Sequence, residues 1–454
     1  MRTSSLLLLL LLLAVGPPAW SAAAQTPTFV DVTTDLGANN PSVQVIDGER
    51  YFNFARGDAG WVSAFETAEA RRLKRIYFPS GQYFFGGSSN ASCAPVDIEP
   101  TNGLCYSPVV VDAALYPFLG QGVEVFGDGG GATVFHSWAP VASGSALTLT
   151  ASSTVGTAYW SLHDLAFSLC ATGYALSFND AARAQPRNEF NSLHVARVSA
   201  WNGLVNQTCD GSPRWPLRPG QTRTNSAGGI YFGHIWSSTL SVDEVAVQSG
   251  APAAEFNDTA AVVLDEVQYS TLDLRGLGTG LPGAFSRPDP TDAALYFGWG
   301  LILRANVYAC TVTQLHVEIA GGGVLIKASS AENVVTSAIF SMVFLAAIAQ
   351  ADANADGDLP QYQGNNVFLA VAVNLYPVNG STFSAAVQGN RSSLIVRSVY
   401  TFPYTRLAND FNLGGPAPAS SAEPCIRGEQ RLSQDFLFVC VADGAWRRVA
   451  LEAF

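Results

Sequence analysis

Two Asp-Glu dipeptides, Asp243-Glu244 and Asp265-Glu266, lie 22 residues apart and are the side chains best suited to acid/base chemistry. If that interval is one coil of a repeating structure, like residues stack about 5 Å from each other, the ordinary strand spacing. Carboxylates that close share a proton and split their pKa values, leaving one as acid and one as base. A separation of about 5–5.5 Å would suit a retaining glycosidase, and a wider one an inverting enzyme. A plainer reading stands beside this one. Asp164, Glu244 and Glu266 recur at one position of a shared frame, as a polar turn between strands would.

A second constellation is Asp352-Ala353-Asn354-Ala355-Asp356-Gly357-Asp358-Leu359. Asp352, Asn354, Asp356 and Asp358 alternate oxygen ligands as an EF-hand-type calcium loop does, and Gly357 permits the tight turn. Gln363 stands where such loops carry a bidentate Glu. The expectation is weak, structural Ca2+ binding, with an acidic surface turn as the alternative. His163, His194 and His316 each follow Leu, which places them at outward strand positions, and their spacing makes no zinc site. They read as a surface ladder rather than as general bases. Trp138, Trp160, Trp201, Trp215, Trp236 and Trp299 scatter through the chain. They serve either sugar stacking or core filling.

The bulk numbers exclude several classes. Of 454 residues, 48% are hydrophobic and 13% charged, so the chain needs a large core and is not disordered. Net charge is −12, with lysine only at Lys74 and Lys327. No basic stripe exists for a nucleic acid. The acidity also fits poorly with a polyanionic polysaccharide, unless a metal ion or an arginine cluster intervenes. The long apolar run, Leu6–Val15, is too short for stable membrane insertion. Preceded by Arg2 and followed by Ala22 to Ala24, it reads as a cleavable signal peptide over 1–24. Export makes disulfides plausible: Cys93 with Cys105, Cys170 with Cys209, and Cys425 with Cys440, leaving Cys310 as a buried free thiol. Sequons at Asn90, Asn206, Asn257, Asn379 and Asn390 would be glycosylated in a eukaryotic host.

After an irregular lead-in over 25–55, Asp58 stands as N-cap before a helix from Trp61 to Arg72 with two arginines in its last turn. Strand residues Ile76-Tyr77-Phe78, the turn Pro79-Ser80-Gly81 and Gln82-Tyr83 follow. This opening resembles that of pectate-lyase-like β-helix proteins, phage tailspikes among them, and Val123-Glu124-Val125-Phe126-Gly127-Asp128-Gly129 resembles their next element. One departure is that those openings carry paired aspartates before the helix, where this chain has Arg56-Gly57-Asp58-Ala59-Gly60. The resemblance implies an all-β, right-handed parallel β-helix closed by an N-terminal capping helix, acting on carbohydrate, and in tailspikes a homotrimer.

Repeats support that fold independently. Gly229-Ile230-Tyr231-Phe232, Gly300-Leu301-Ile302-Leu303 and Gly323-Val324-Leu325-Ile326 share one frame. Leu162-His163-Asp164-Leu165, Val242-Asp243-Glu244-Val245 and Leu264-Asp265-Glu266-Val267 share another. Short strands at such a period are what a β-helix requires. The domain is expected over 25–415, with the cap at 25–120, coils at about 120–400, and insertions at 203–226 and 274–292. A Pro/Ala/Ser linker then leads to a small C-terminal β-hairpin module at 416–454.

Signatures of two resembling enzyme groups are missing. The polygalacturonase set is absent, Gly233-His234-Ile235 matching only two residues of its G-H-G element, and so is the lyase arginine motif. Two expectations follow. One is a secreted glycoside hydrolase or polysaccharide lyase acting on a cell-wall or cell-surface polysaccharide. The other is a non-catalytic surface or virion spike, or adhesin, that binds glycans.

Overall fold

The computed structural model describes residues 28–85, 108–137, 144–151, 157–169, 171, 173–179, 189–203, 228–248, 259–280, 298–327, 330–350 and 366–375, together with short segments between 387 and 450. Strands Arg75–Phe78, Gly81–Phe85 and Val109–Asp112 follow one another along the chain. Each pairs in parallel with the strand one circuit later: Val123–Gly127, Thr133–Ser137 and Leu147–Thr150. One column of partners then runs Ile76, Val125, Leu162, Val195, Leu240, Leu272, Val312, Val335 and Phe368, all buried. Such stacking of like residues circuit upon circuit defines a parallel β-helix. Each buried aliphatic side chain contributes about 1.5–3 kcal/mol relative to exposure, and the column repeats that gain at every coil.

Coiling starts earlier than expected. The first coil lies at 75–112, and the lead-in already belongs to the sheet. Val30–Asp31 pairs in parallel with Arg75–Phe78. The hairpin Ser42–Ile46/Glu49–Asn53 joins through Tyr51 and Phe52 to Gly81–Phe85. The helix Trp61–Arg71 lies against Val30–Asp31, Arg75–Phe78 and Val109–Asp112. Its Trp61 ring sits 5.0 Å from Phe78 and 5.4 Å from Phe135, and Phe65 sits 5.4 Å from Trp160. Gly60, not Asp58, is the formal N-cap. The Asp58 carboxylate nevertheless accepts from the Gly60, Val62 and Ser63 amides. Arg72 lies beyond the last turn, in the left-handed region.

Coils turn sharply because single residues at their corners adopt positive φ. One corner column comprises Tyr159, Ser192, Ser237, Tyr269, Ala309 and Glu332, with φ between 48° and 58°. Its amides from Tyr159 to Ala309 each donate to a carbonyl of the next coil, at 3.0–3.2 Å. A second column holds His234, Glu266 and Asn306, at 52°, 55° and 47°. Left-handed conformation costs an ordinary residue about 1–2 kcal/mol, a strain that these ladders of hydrogen bonds hold in place.

Just past the first corner column runs a buried polar column: Ser238, Ser270, Cys310, Asn333 and Asn366. Leu193 N donates to Ser238 Oγ at 2.9 Å, and Ser238 N to Ser270 Oγ at 3.1 Å. Cys310 N donates to Asn333 Oδ1 at 3.0 Å, and Asn333 Nδ2 to Asn366 Oδ1 at 2.9 Å. Buried backbone donors need such partners where the strand ladder breaks. Cys310 is the buried free thiol expected, and burial pushes it up to about 11, which leaves it unreactive at neutral pH.

Beyond the stack, Gln430–Leu432, Phe436–Ala442 and Ala445–Ala450 form a separate three-stranded antiparallel sheet, one strand more than the expected hairpin. Leu274–Gly280 belong to the strand Thr271–Gly280 rather than to an insertion. The signal-like run, the Asp352–Asp358 loop, every sequon asparagine and at least one member of each proposed cysteine pair lie outside the described residues. Among the described residues, no helix is long and apolar enough to cross a membrane.

Two tests follow from this packing. Asn333→Ala removes hydrogen bonds to Val307, Cys310 and Asn366, and urea melts should show a loss of about 2–3 kcal/mol. His136 is buried beside Phe84 and its pKa is pushed down from 6.5 to about 4 by desolvation. A depressed folded-state value means stability is present above pH 6.5 and drains away toward pH 4. That loss amounts to roughly 3 kcal/mol, and His136→Phe should flatten this limb of stability against pH.

Candidate functional site

Strand Gly228–Trp236 pairs with Ala260–Gln268 so that Gly233 faces Asp265 and Ile235 faces Val267. Trp299–Leu303 adds the next layer, Leu264 facing Leu303. Phe232 and Leu264 point into the core, which sends Tyr231 and Asp265 to the outer face. Strict alternation would bury Glu266. The positive φ there turns the chain instead, leaving Glu266 outside while Val267 returns to the core.

The result is a compact polar corner. The Tyr231 hydroxyl donates to Asp265 Oδ2 at 3.0 Å, and Arg304 Nη1 lies 3.8 Å from the same oxygen. His234 Nδ1 lies 2.5 Å from Glu266 Oε2, and the Asn306 side chain also hydrogen-bonds Glu266. Burial raises the Asp265 carboxyl above the usual carboxylate range, outweighing the opposing pull of Tyr231 and Arg304. The His234 hydrogen bond lowers Glu266, and the reciprocal hydrogen bond raises His234. Two neighbouring carboxyls are thus displaced in opposite directions, which separates an acid from a base.

Asp243 and Glu244 lie elsewhere. Their strand, Thr239–Gln248, precedes Ala260–Gln268 within the same circuit and pairs with different partners. Asp243 falls between the pairs Val242–Leu274 and Val245–Leu277, beside Arg275, whose charge it supports along with that of Arg197. The expected stack of Asp243 on Asp265 therefore does not form. The frame Leu-x-x-Leu marks a corner, and a circuit has more than one corner, so a 22-residue interval need not be one coil. The other frame does stack: Ile230, Val262, Leu301 and Val324 are successive partners.

Tyr231, His234, Arg304 and Asn306 escaped the sequence reading. The repeat Gly229-Ile230-Tyr231-Phe232, aligned on Ala261-Val262-Val263-Leu264, would have set His234 beside Glu266. Elsewhere on the outer surface, His163 bridges Glu124 at 3.1 Å and Asp164 at 2.7 Å, and Arg197 clamps Asp164 at 2.5 and 2.6 Å. Arg197 lowers Asp164. For Glu124, burial pushes upward but the Arg75 and His163 hydrogen bonds prevail and hold it low. Every member of that network is paired, and it braces successive coils. His163, His194 and His316 all face outward, as expected.

No family model matches the chain, and no curated protein does. Among solved structures, it is similar to the A-module of the mannuronan C-5 epimerase AlgE6 of Azotobacter vinelandii, at 12% identity and TM-score 0.25, over 77% of this chain and 98% of that one. It is also similar to ORF18 of Geobacillus virus E2, at 10% identity and TM-score 0.34, over 94% and 86%. A third is PfbA, a surface adhesin of Streptococcus pneumoniae, at 9% identity and TM-score 0.23, over 93% and 100%. The fold rests on strand register. These distant likenesses assign no residue a role.

The His234–Glu266 pair has a defined pH window. Glu266, lowered, contributes stability above its unfolded value of 4.5 that is lost as pH falls through its folded value. His234, raised, contributes stability below 6.5 that is lost as pH rises through its folded value. Both side chains are partly exposed, so solvent screening limits the pair to about 0.5–1 kcal/mol. In His234→Gln, NMR titration should find Glu266 moved up toward 4.5.

Proposed function

We propose that this chain is an exported β-helix protein directed at carbohydrate, and that the corner of Tyr231, His234, Asp265, Glu266 and Arg304 cleaves a glycosidic bond in a cell-wall or cell-surface polysaccharide. The observation that carries the reading is the meeting of two carboxyls at one corner, Asp265 held by Tyr231 and Glu266 by His234, with burial raising the first and the His234 hydrogen bond lowering the second. Asp265, its carboxyl raised by burial, acts as the acid that gives a proton to the glycosidic oxygen as the bond to the anomeric carbon breaks. Ionised Glu266 either deprotonates the attacking water or attacks the carbon itself, water then completing the hydrolysis. Tyr231 orients Asp265, and His234 keeps Glu266 charged. Export rests on Arg2, the run Leu6–Val15 and Ala22 to Ala24.

A second reading, a non-catalytic spike or adhesin, is favoured by Asp164 and Arg197. There too an ion pair joins positive-φ residues of successive coils, so such pairing by itself implies no catalysis. In either case trimerisation, as in the resembling tailspikes, remains a proposal that light scattering reads directly.

Purified protein incubated with a glycan panel should release reducing ends, with optimum activity bounded by Glu266 ionisation on the acid side and Asp265 deprotonation on the alkaline side. Asp265→Asn and Glu266→Gln should each lower turnover by about 10²–10⁴-fold while the circular-dichroism melt stays cooperative and shifts by no more than the loss of about 0.5–1 kcal/mol allows. Undiminished turnover in both variants would sink this assignment. A product absorbing as an unsaturated uronide would replace hydrolysis by elimination. Binding with no turnover in the unaltered chain would establish the adhesin reading.

A further inference from the structure

Between the corner at His234, Glu266 and Asn306 and the next corner at Ser237 and Tyr269 lies a narrow side of the helix, two residues wide in each coil. Ile235, Val267 and Val307 fill its inner positions and are fully buried. Its outer column runs Asn191, Trp236, Gln268 and Tyr308. Alongside, the corner column presents Tyr159, Ser192, Ser237 and Tyr269.

Three features characterise this strip. First, its aromatic rings are inclined to one another. Trp236 and Tyr269 meet at 55° with centroids 5.8 Å apart, and Tyr269 and Tyr308 at 85° and 5.7 Å. In the column Tyr77, Phe126 and His163 the rings stack at 26° and 17°, with Phe29 edge-on to the first two. Second, Tyr159 and Tyr269 are 71% and 53% exposed, so neither gains from core burial. Both nevertheless occupy left-handed backbone, which bulky residues rarely adopt. Third, the four outer-column and four corner residues are all uncharged, offering amides and hydroxyls between the rings. The first charged residue on the corner column is Glu332, hydrogen-bonded to Tyr308.

We infer that this narrow side is a glycan-binding platform for an uncharged polysaccharide, which delivers a glycosidic bond to the neighbouring acid/base corner; the inference rests on the carbohydrate reading above. Open aromatic faces take the apolar face of a sugar ring, and Asn191, Gln268, Ser192 and Ser237 take its hydroxyls. The strip contains no lysine or arginine to neutralise a uronate, so a polyanion finds no partner there. Trp236 follows His234 by two residues and its partner Gln268 follows Glu266 by two, which sets the platform directly past the acid/base corner. Coil spacing of about 4.8 Å extends the strip along the helix axis, so a linear chain binds across several coils.

The test uses the full chain with soluble neutral polysaccharides (glucan, mannan, xylan) against polygalacturonate and alginate, read by isothermal titration and by KM and kcat where turnover occurs. Trp236→Ala and Tyr269→Ala should each weaken neutral-glycan binding roughly five- to tenfold and raise KM with kcat nearly unchanged. Asp265→Asn should retain that binding. Exclusive binding of the uronates, or affinity for neutral glycans unmoved by both aromatic variants, overturns the platform. So does an absence of binding to every polysaccharide tested. Aromatic-dependent binding without turnover overturns the acid/base assignment and leaves the platform standing. Turnover that needs Asp265 but ignores both rings does the reverse.

Discussion

The parallel pairing of each circuit with the next is the constraint on which everything else depends. It forces residues of one column to share a direction, so Ile76 through Phe368 must all be apolar or the core opens at every level. It also forces the chain to turn at the same place in every coil. Those turns are made by single left-handed residues, which interrupt the in–out alternation of the strands. The outer surface therefore has two kinds of position: regular ones within a strand, and corner ones whose side chains project where alternation would have buried them.

The candidate site combines both kinds of position. Asp265 is a regular outward residue, set against Tyr231 and shielded enough for burial to raise its pKa. Glu266 is a corner residue, less shielded and held ionised by His234. Had the backbone continued straight, the two carboxyls would have stood on opposite faces of the sheet. From the next coil, Arg304 opposes the rise of Asp265 and Asn306 adds to the lowering of Glu266. The glycan platform depends on the same corners, because Tyr269 reaches the narrow side only through its positive φ.

Much of this architecture was legible in the residues. The frame Gly300-Leu301-Ile302-Leu303 and Gly323-Val324-Leu325-Ile326 stacks in true register, since a glycine at the same place in successive coils admits a close neighbour. The helix before Arg75 was equally readable from Asp58 and its apolar face. Less legible was that Asp243 and Asp265 lie on different strands of one circuit and do not stack. A two-residue gap between leucines or valines signals a corner, but nothing in the local pattern says which corner. Segments inserted between strands lengthen some circuits and not others, so sequence distance stops measuring height along the axis. His234 was visible as a residue and invisible as a partner of Glu266 for that reason.

The buried column Ser238, Ser270, Cys310, Asn333 and Asn366 also bears on mechanics. Hydrogen bonds between coils lie along the long axis of the helix, so tension applied at its ends would load them head-on, one layer at a time. A rod built this way yields by peeling rather than by shearing. At the polar column each layer is tied to the next by side-chain bonds as well as backbone ones, as where Asn333 reaches both Val307 and Asn366. That column would act as a seam, arresting a tear that begins in the strands beside it.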